Sequence, residues 1–253
     1  MDISSIANSL ISQSFAGQQS TQTASAPATA AFTHANKRIE QQLGSTKVQL
    51  SAYGQIKGAF SEVQTTGKAL SDLKTTSTAD DVKKAVNGFV SAYNKANKAV
   101  GAATQGDGEQ TGALANDSRA RIAGNDLRRS VTEGSSLSDL KKIGITQNKD
   151  GSLNVDTKAL EKALQSNSNQ VLSTVAGIGQ QVEKTTTQEL ANNGNVGSSV
   201  NSLNNRSRSL EAQQSAQQEQ ITASQRLIEQ QTTQINNVFA GGLAAYQRTT
   251  FTG

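Results

Sequence analysis

Few residues in this 253-residue chain have the types and spacing that chemistry needs. The segment from Thr146 to Thr157 comes nearest to a metal site. Asn148, Asp150 and Gly151 stand at the third, fifth and sixth places of a helix–loop–helix calcium loop. Such a loop needs a carboxylate at its first place and a bidentate Glu at its twelfth, where this chain has Thr146 and Thr157. The segment therefore reads as a plain turn. The Gly-rich run GAATQGDGEQTG (101–112) could offer backbone N–H groups to a phosphate, but it lacks a Gly-Lys-Ser/Thr ending and a preceding strand. The acidic pair Asp80-Asp81 is better placed to start a helix by favouring its N-terminal dipole. Ser and Thr are abundant, yet the one histidine, His34, lies beside a low-complexity stretch, so a Ser-His-Asp triad is not expected. With no Cys and one His, neither a thiol nucleophile nor a His-pair zinc site is available. The sequence thus offers no catalytic, cofactor-binding or metal-ligating residues, and an enzyme is not expected.

The charge pattern points the same way. A net charge of +4 rests on 24 Lys and Arg, and the densest cation pairs are Arg128-Arg129 and Lys141-Lys142. A nucleic-acid surface would cluster more cations among aromatics, which are only 4% here. These charges read as solvated surface. No run of eighteen apolar residues exists, so no membrane span is expected. A basic segment leading into an apolar one is missing from the N-terminus, so no cleaved secretory signal is expected. Leu, Ile, Val and Phe make up about a fifth of the chain, the border at which packed cores fail. Ser, Thr, Asn and Gln make up about two fifths.

What remains to be positioned is a set of apolar stripes. Ile3, Ile6, Leu10 and Ile11 form one face of a short helix, read as a docking helix, followed by a low-complexity, flexible linker through residue 33. Residues 34–73 read as a leg helix with Leu43, Leu50, Tyr53 and Phe60 along a narrow seam. Residues 79–190 read as a small α+β head domain. Its second helix (79–100) carries Phe89 and Tyr93, and its third (117–131) turns Ile122, Leu127 and Val131 to one side. Ile143 and Ile145 alternate, as do Leu153 and Val155 across the turn Asn148–Gly151, which predicts a β-hairpin. Asp156 then caps a helix through Leu164. Phe89, Tyr93, Ile143, Ile145, Leu153 and Val155 are the expected head core. Residues 198–253 read as a C-terminal leg helix, with Ile221, Ile228, Ile235 and Val238 in a heptad seam diluted by Ser207, Gln214, Gln217, Ser224 and Gln231. At 1.5 Å per residue the two legs span about 60 and 65 Å, so antiparallel pairing is expected, with the head at one end of a coiled-coil stalk. The fold class is mainly α, with long antiparallel terminal helices and one hairpin in the small α+β head.

Four segments together resemble the flagellar filament-capping (hook-associated) protein family. DISSIANSLISQ at the N-terminus is similar to the family's opening helix, and LSAYGQIKGAFSEVQTTGKALSDL (50–73) to its N-terminal long helix. VKKAVNGFVSAYNKANKAV (82–100) resembles the helix that carries FVxxYN. LKKIGITQNKDGSLNVDTKALEKAL (140–164) resembles the segment built on IGI, then DG, then an apolar residue before Asp. The four stand in the family's order. Members usually carry a large β-rich insertion between the first long helix and the FVxxYN helix, whereas here only Lys74–Thr78 stands between them.

The resemblance implies a structural cap at the tip of the bacterial flagellum, which retains flagellin and promotes its folding and insertion. It implies export through the flagellar type III route without a cleaved signal, an extracellular location, and a homo-oligomer, commonly a pentamer. Flagellin, the hook-filament junction protein and an export chaperone are the implied partners, with no cofactor. On this reading Ile3, Ile6, Leu10, Ile11, Ile221, Ile228, Ile235 and Val238 make oligomer or filament contacts. Two other readings stay open from the residues alone. One is another secreted coiled-coil assembly protein, such as a type III tip or adhesin component. The other is a basic nucleic-acid-binding coiled coil.

Overall fold

A computed structural model describes residues 3–106 and 108–250, with side chains from 34 to 245 apart from residue 107. The chain is mainly α. Its elements run α1 (Ile3–Ser71), α2 (Ala79–Thr104), α3 (Ser118–Gly134), α4 (Leu137–Lys142), β1 (Ile145–Gln147), β2 (Leu153–Val155), α5 (Thr157–Leu190) and α6 (Asn195–Thr250). The chain divides into two units, residues 45–207 and residues 1–44 with 208–253. The long terminal helices therefore divide near Gly44 and Ser207, rather than where the stripe of residues 34–73 predicts a leg to end.

Helix starts in the unit 45–207 follow local capping chemistry. Thr78 caps α2, where its side chain accepts from the Asp81 amide and Asp81 accepts in return from the Thr78 amide. Asp117, Ser136 and Asp156 cap α3, α4 and α5 through their side-chain oxygens. Asn167 leaves helical geometry inside α5 (φ −158°, ψ 78°), and its side chain accepts from the Gln170 amide. It thus caps a second helical stretch that continues to Leu190, well past the expected end at Leu164.

This unit has one hydrophobic core. Tyr53, Ile56, Phe60, Val63 and Leu70 of α1 join Phe89 and Tyr93 of α2, Leu127 and Val131 of α3, and Val175, Ile178 and Val182 of α5. Tyr53 and Phe60 are therefore core residues here, not members of the leg seam expected for them, and Leu50 is half-buried. Their spacing makes a stripe, but a stripe does not name its partner. Helix α3 corrects a second expectation, because Ile122 is exposed while Ala120, Ala123, Leu127 and Val131 are buried. Small side chains hold that face because α3 packs very close to its neighbours. A Cβ on Gly124 would lie 2.5 Å from Val100 Cγ1, and one on Gly134 would lie 2.7 Å from the Gly177 carbonyl oxygen. Helix α5 meets α1 in the same way, for a Cβ on Gly179 would lie 2.5 Å from the Gly67 carbonyl oxygen.

The hairpin pairs Ile145 with Val155, Thr146 with Asn154 and Gln147 with Leu153. Ile145 and Leu153 are buried and Val155 is half-buried. Ile143, also buried, ends α4 instead of opening the strand. Gly144 follows at φ 80°, a conformation that disfavours a side chain.

In the other unit Ile39 and Leu43 pack with Leu210. Leu43 thus meets Leu210, not the expected partners farther along α6. Helix α1 also runs unbroken through residues 16–33, where low complexity predicts a linker. That stretch is rich in Ala and Gln, which favour helix. The side chains of Ile3, Ile6, Leu10 and Ile11 lie outside the described residues.

Candidate assembly surface

The residues with chemical potential are spent locally. Asp150 accepts from the Ser152 hydroxyl (2.7 Å) and the Ser152 amide (2.9 Å), and these bonds hold its carboxyl below the ordinary value. Asp81 is likewise lowered by the Thr78 hydroxyl and amide. Among the described residues no three His, Cys, Asp or Glu side chains come together as a metal site. A shallow polar depression is lined by Gln49 and residues 111–119, and there Asp117 is engaged in capping α3. No helix among the described residues is long and apolar enough to cross a membrane.

The FVSAYN segment of α2 is a clamp on the hairpin. Phe89 and Tyr93, four residues apart on one face, are both buried, with ring centroids 6.0 Å apart. The Tyr93 hydroxyl donates to the Gly151 carbonyl at 3.1 Å, and burial raises it to about 12. One residue on, the Asn94 amide donates to the Leu153 carbonyl, and its oxygen accepts from the Leu153 N–H, both at 2.8 Å. Asn97 donates to the Asp150 carbonyl at 3.0 Å and accepts from Arg128 of α3 at 3.1 Å. The sequence singles out Phe89 and Tyr93 but gives Asn94, Asn97 and Arg128 no task. Their signal is that Asn97 stands four residues after Tyr93 and three after Asn94, which brings it beside both on the helix surface.

Helix α6 shows a different surface. Ile221 is half-buried, whereas Ile228 is 48% exposed, Ile235 53%, Phe239 65% and Val238 77%. At about 100° per residue, Leu210, Ile221, Ile228, Ile235, Phe239 and Leu243 fall within about 80° of one another. Leu227 and Val238 lie together to one side of that band, and both are exposed. Leu210 is covered by Ile39 and Leu43, so the same face is buried at one point and open farther on. Apolar side chains grouped on one open face are the kind of surface at which proteins associate, which makes this band the candidate surface. The heptads locate Ile228, Ile235 and Val238; they pass over Leu227, Phe239 and Leu243, which lie off the strict seven-residue repeat.

The chain is 32% identical over 133 residues to the B-type flagellar hook-associated protein 2 of Pseudomonas aeruginosa, covering 48% of this chain and 28% of that protein. The chain therefore spans well under half the length of that relative. It is also similar to a crystal structure of the flagellar cap protein FliD D1-D2-D3 domains from Escherichia coli, at TM-score 0.42 and 24% identity over 50% of this chain and 37% of that one. The family described as flagellar hook-associated protein 2 C-terminus matches residues 56–241, nearly three quarters of the chain, and the chain belongs to that family.

Proposed function

We propose that this chain is a structural subunit of the cap at the flagellar filament tip, where it retains flagellin and promotes its folding and insertion. Family membership supports the flagellar role. The observation that carries the mechanism is the open apolar band from Ile228 to Leu243. It lies on a helix whose upstream seam, with Gln214 and Gln217, is polar. A band of this kind binds by apolar burial, while the polar positions keep the contact weak enough to be remade. A cap that steps outward as subunits are added needs both properties.

The subunit works outside the cell, after export without a cleaved signal, as a homo-oligomer of about five copies, in line with the family resemblance. Flagellin is its main partner, with the hook-filament junction protein beneath it and an export chaperone before secretion. The role needs no cofactor and no catalysis. Deleting the gene should leave cells with short filaments and flagellin in the medium. Filaments of normal length in the deletion strain overturn the proposal, and immunogold label away from the tips would favour another secreted assembly role.

A further inference from the structure

Among the described residues, Glu189 is the only carboxylate that is buried, with 6% of it exposed. It stands one residue before the end of α5, where the free carbonyls of the helix disfavour negative charge. Its Oε1 accepts from Asn195 Nδ2, at the start of α6, at 3.0 Å. Its Oε2 makes no hydrogen bond. The turn around it is tight, since a Cβ on Gly194 would lie 2.6 Å from the Glu189 carbonyl oxygen and one on Gly197 would lie 2.6 Å from that of Leu190.

The groups facing Glu189 come from two helices. From α3 comes the Asp126 carboxylate, itself 3.3 Å from Arg129. Helix α6 supplies the neutral Asn195 amide. Two other acids of α3 and α5 are held by partners of their own, Glu133 by Gln181 at 2.8 Å and Glu183 by Ser71 at 3.4 Å. No cation pairs with Glu189 among the described residues. A buried carboxylate left half-satisfied and facing another carboxylate is costly when ionised.

We infer that the α5–α6 corner is a proton-linked latch. With Glu189 protonated, its hydroxyl donates to the Asp126 carboxylate and ties the corner to α3. With Glu189 ionised, two carboxylates face each other, Asn195 alone holds the side chain, and the corner opens. Burial raises the Glu189 carboxyl above the ordinary value and Asp126 adds to the rise, against a lowering by Asn195. The latch therefore closes on acidification, the reverse of the exposed carboxylates Asp81 and Asp150.

Amide hydrogen exchange of the full chain tests this at Gly194 and Ser198, whose N–H groups donate to Ala191 and Gly194 carbonyls at 2.9 Å. After correction for intrinsic rates, protection at these amides should fall about tenfold from pH 5 to pH 7.5, as a proton-coupled opening requires. Glu189→Gln should keep protection level across that range. Asp126→Asn, which gives Glu189 a donor in place of a carboxylate, should raise the pH 7.5 value towards the acid one. Wild-type protection that does not change with pH overturns the latch, and so does a fall of wild-type size in either variant.

Discussion

Asn94 treats Leu153 as a strand would, giving one hydrogen bond and taking one from the same residue, each 2.8 Å long. A helix side chain thereby completes the open edge of a two-stranded sheet too short to stand alone. Asn94→Ala removes both bonds and leaves a partly buried N–H and C=O unpaired. It should cost about 2 kcal/mol in urea unfolding. Asn94→Asp keeps the acceptor but turns a carboxylate towards the Leu153 carbonyl, so it should be worse at pH 7 than at pH 3.

Glycines on the two helix faces should respond with opposite signs. Gly179→Ala forces a methyl to 2.5 Å from the Gly67 carbonyl oxygen and should destabilise by about 1–3 kcal/mol through backbone displacement. Gly58 sits mid-helix with nothing within 4 Å of a new Cβ, so Gly58→Ala should stabilise by about 0.5–1 kcal/mol. Paired urea titrations read both.

The pH dependence of stability should combine two opposed contributions. Asp81, Asp139 and Asp150 are all lowered, by bonds from Thr78, from Lys142 and Ser136, and from Ser152. Their contribution is present above about pH 3.9 and is lost as pH falls below it. Glu189 is raised, so its favourable contribution is complete below about pH 4.3 and is lost as pH rises through its folded value. Glu189→Gln should therefore have a higher urea midpoint than the parent at pH 7, and the gap should close at pH 4.

Changes to the α6 band should separate stability from assembly. Ile228→Asn with Ile235→Asn alters side chains about half exposed in the single chain, so the unfolding free energy of the monomer should move by no more than about 0.5 kcal/mol. Sedimentation of the purified chain and filament length in a complemented deletion strain should both show the loss of association. Normal values of both would place the working surface elsewhere.

Much of this architecture could be read from residue patterns, because capping and periodicity are local. Thr78 with Asp81, Asp117, and Asp156 mark their helices within a few residues. What escaped was set by packing across the chain. The second stretch of α5 holds Gly177 and Gly179, which lower helix propensity, and its worth appears only when α1 and α3 are seen against those glycines. Ile122 looks like a core residue until the neighbouring Ala120, Ala123 and Gly124 are found to face a contact too close for it. Tyr53 and Phe60 share a stripe with Ile39 and Leu43, yet the first pair enters the large core and the second meets Leu210. Of the candidate surface, the heptad repeat gave the seam but not its width. The polar clamp was hidden because Asn is equally at home on a solvated helix face.

Gly177 and Gly179 point to opposite sides of α5, one at Gly134 of α3 and the other at Gly67 of α1. At each crossing the α5 glycine lies against a backbone carbonyl, where a side chain has no room. A slide of α5 by a single residue would bring Ala176 or Ile178 into a gap with no room for either. Three helices distant in sequence are thus indexed against one another by missing atoms, like a shaft notched on both sides. Misaligned assemblies of this core are rejected by steric exclusion, and the correct one needs no strong attraction at the notch to be chosen.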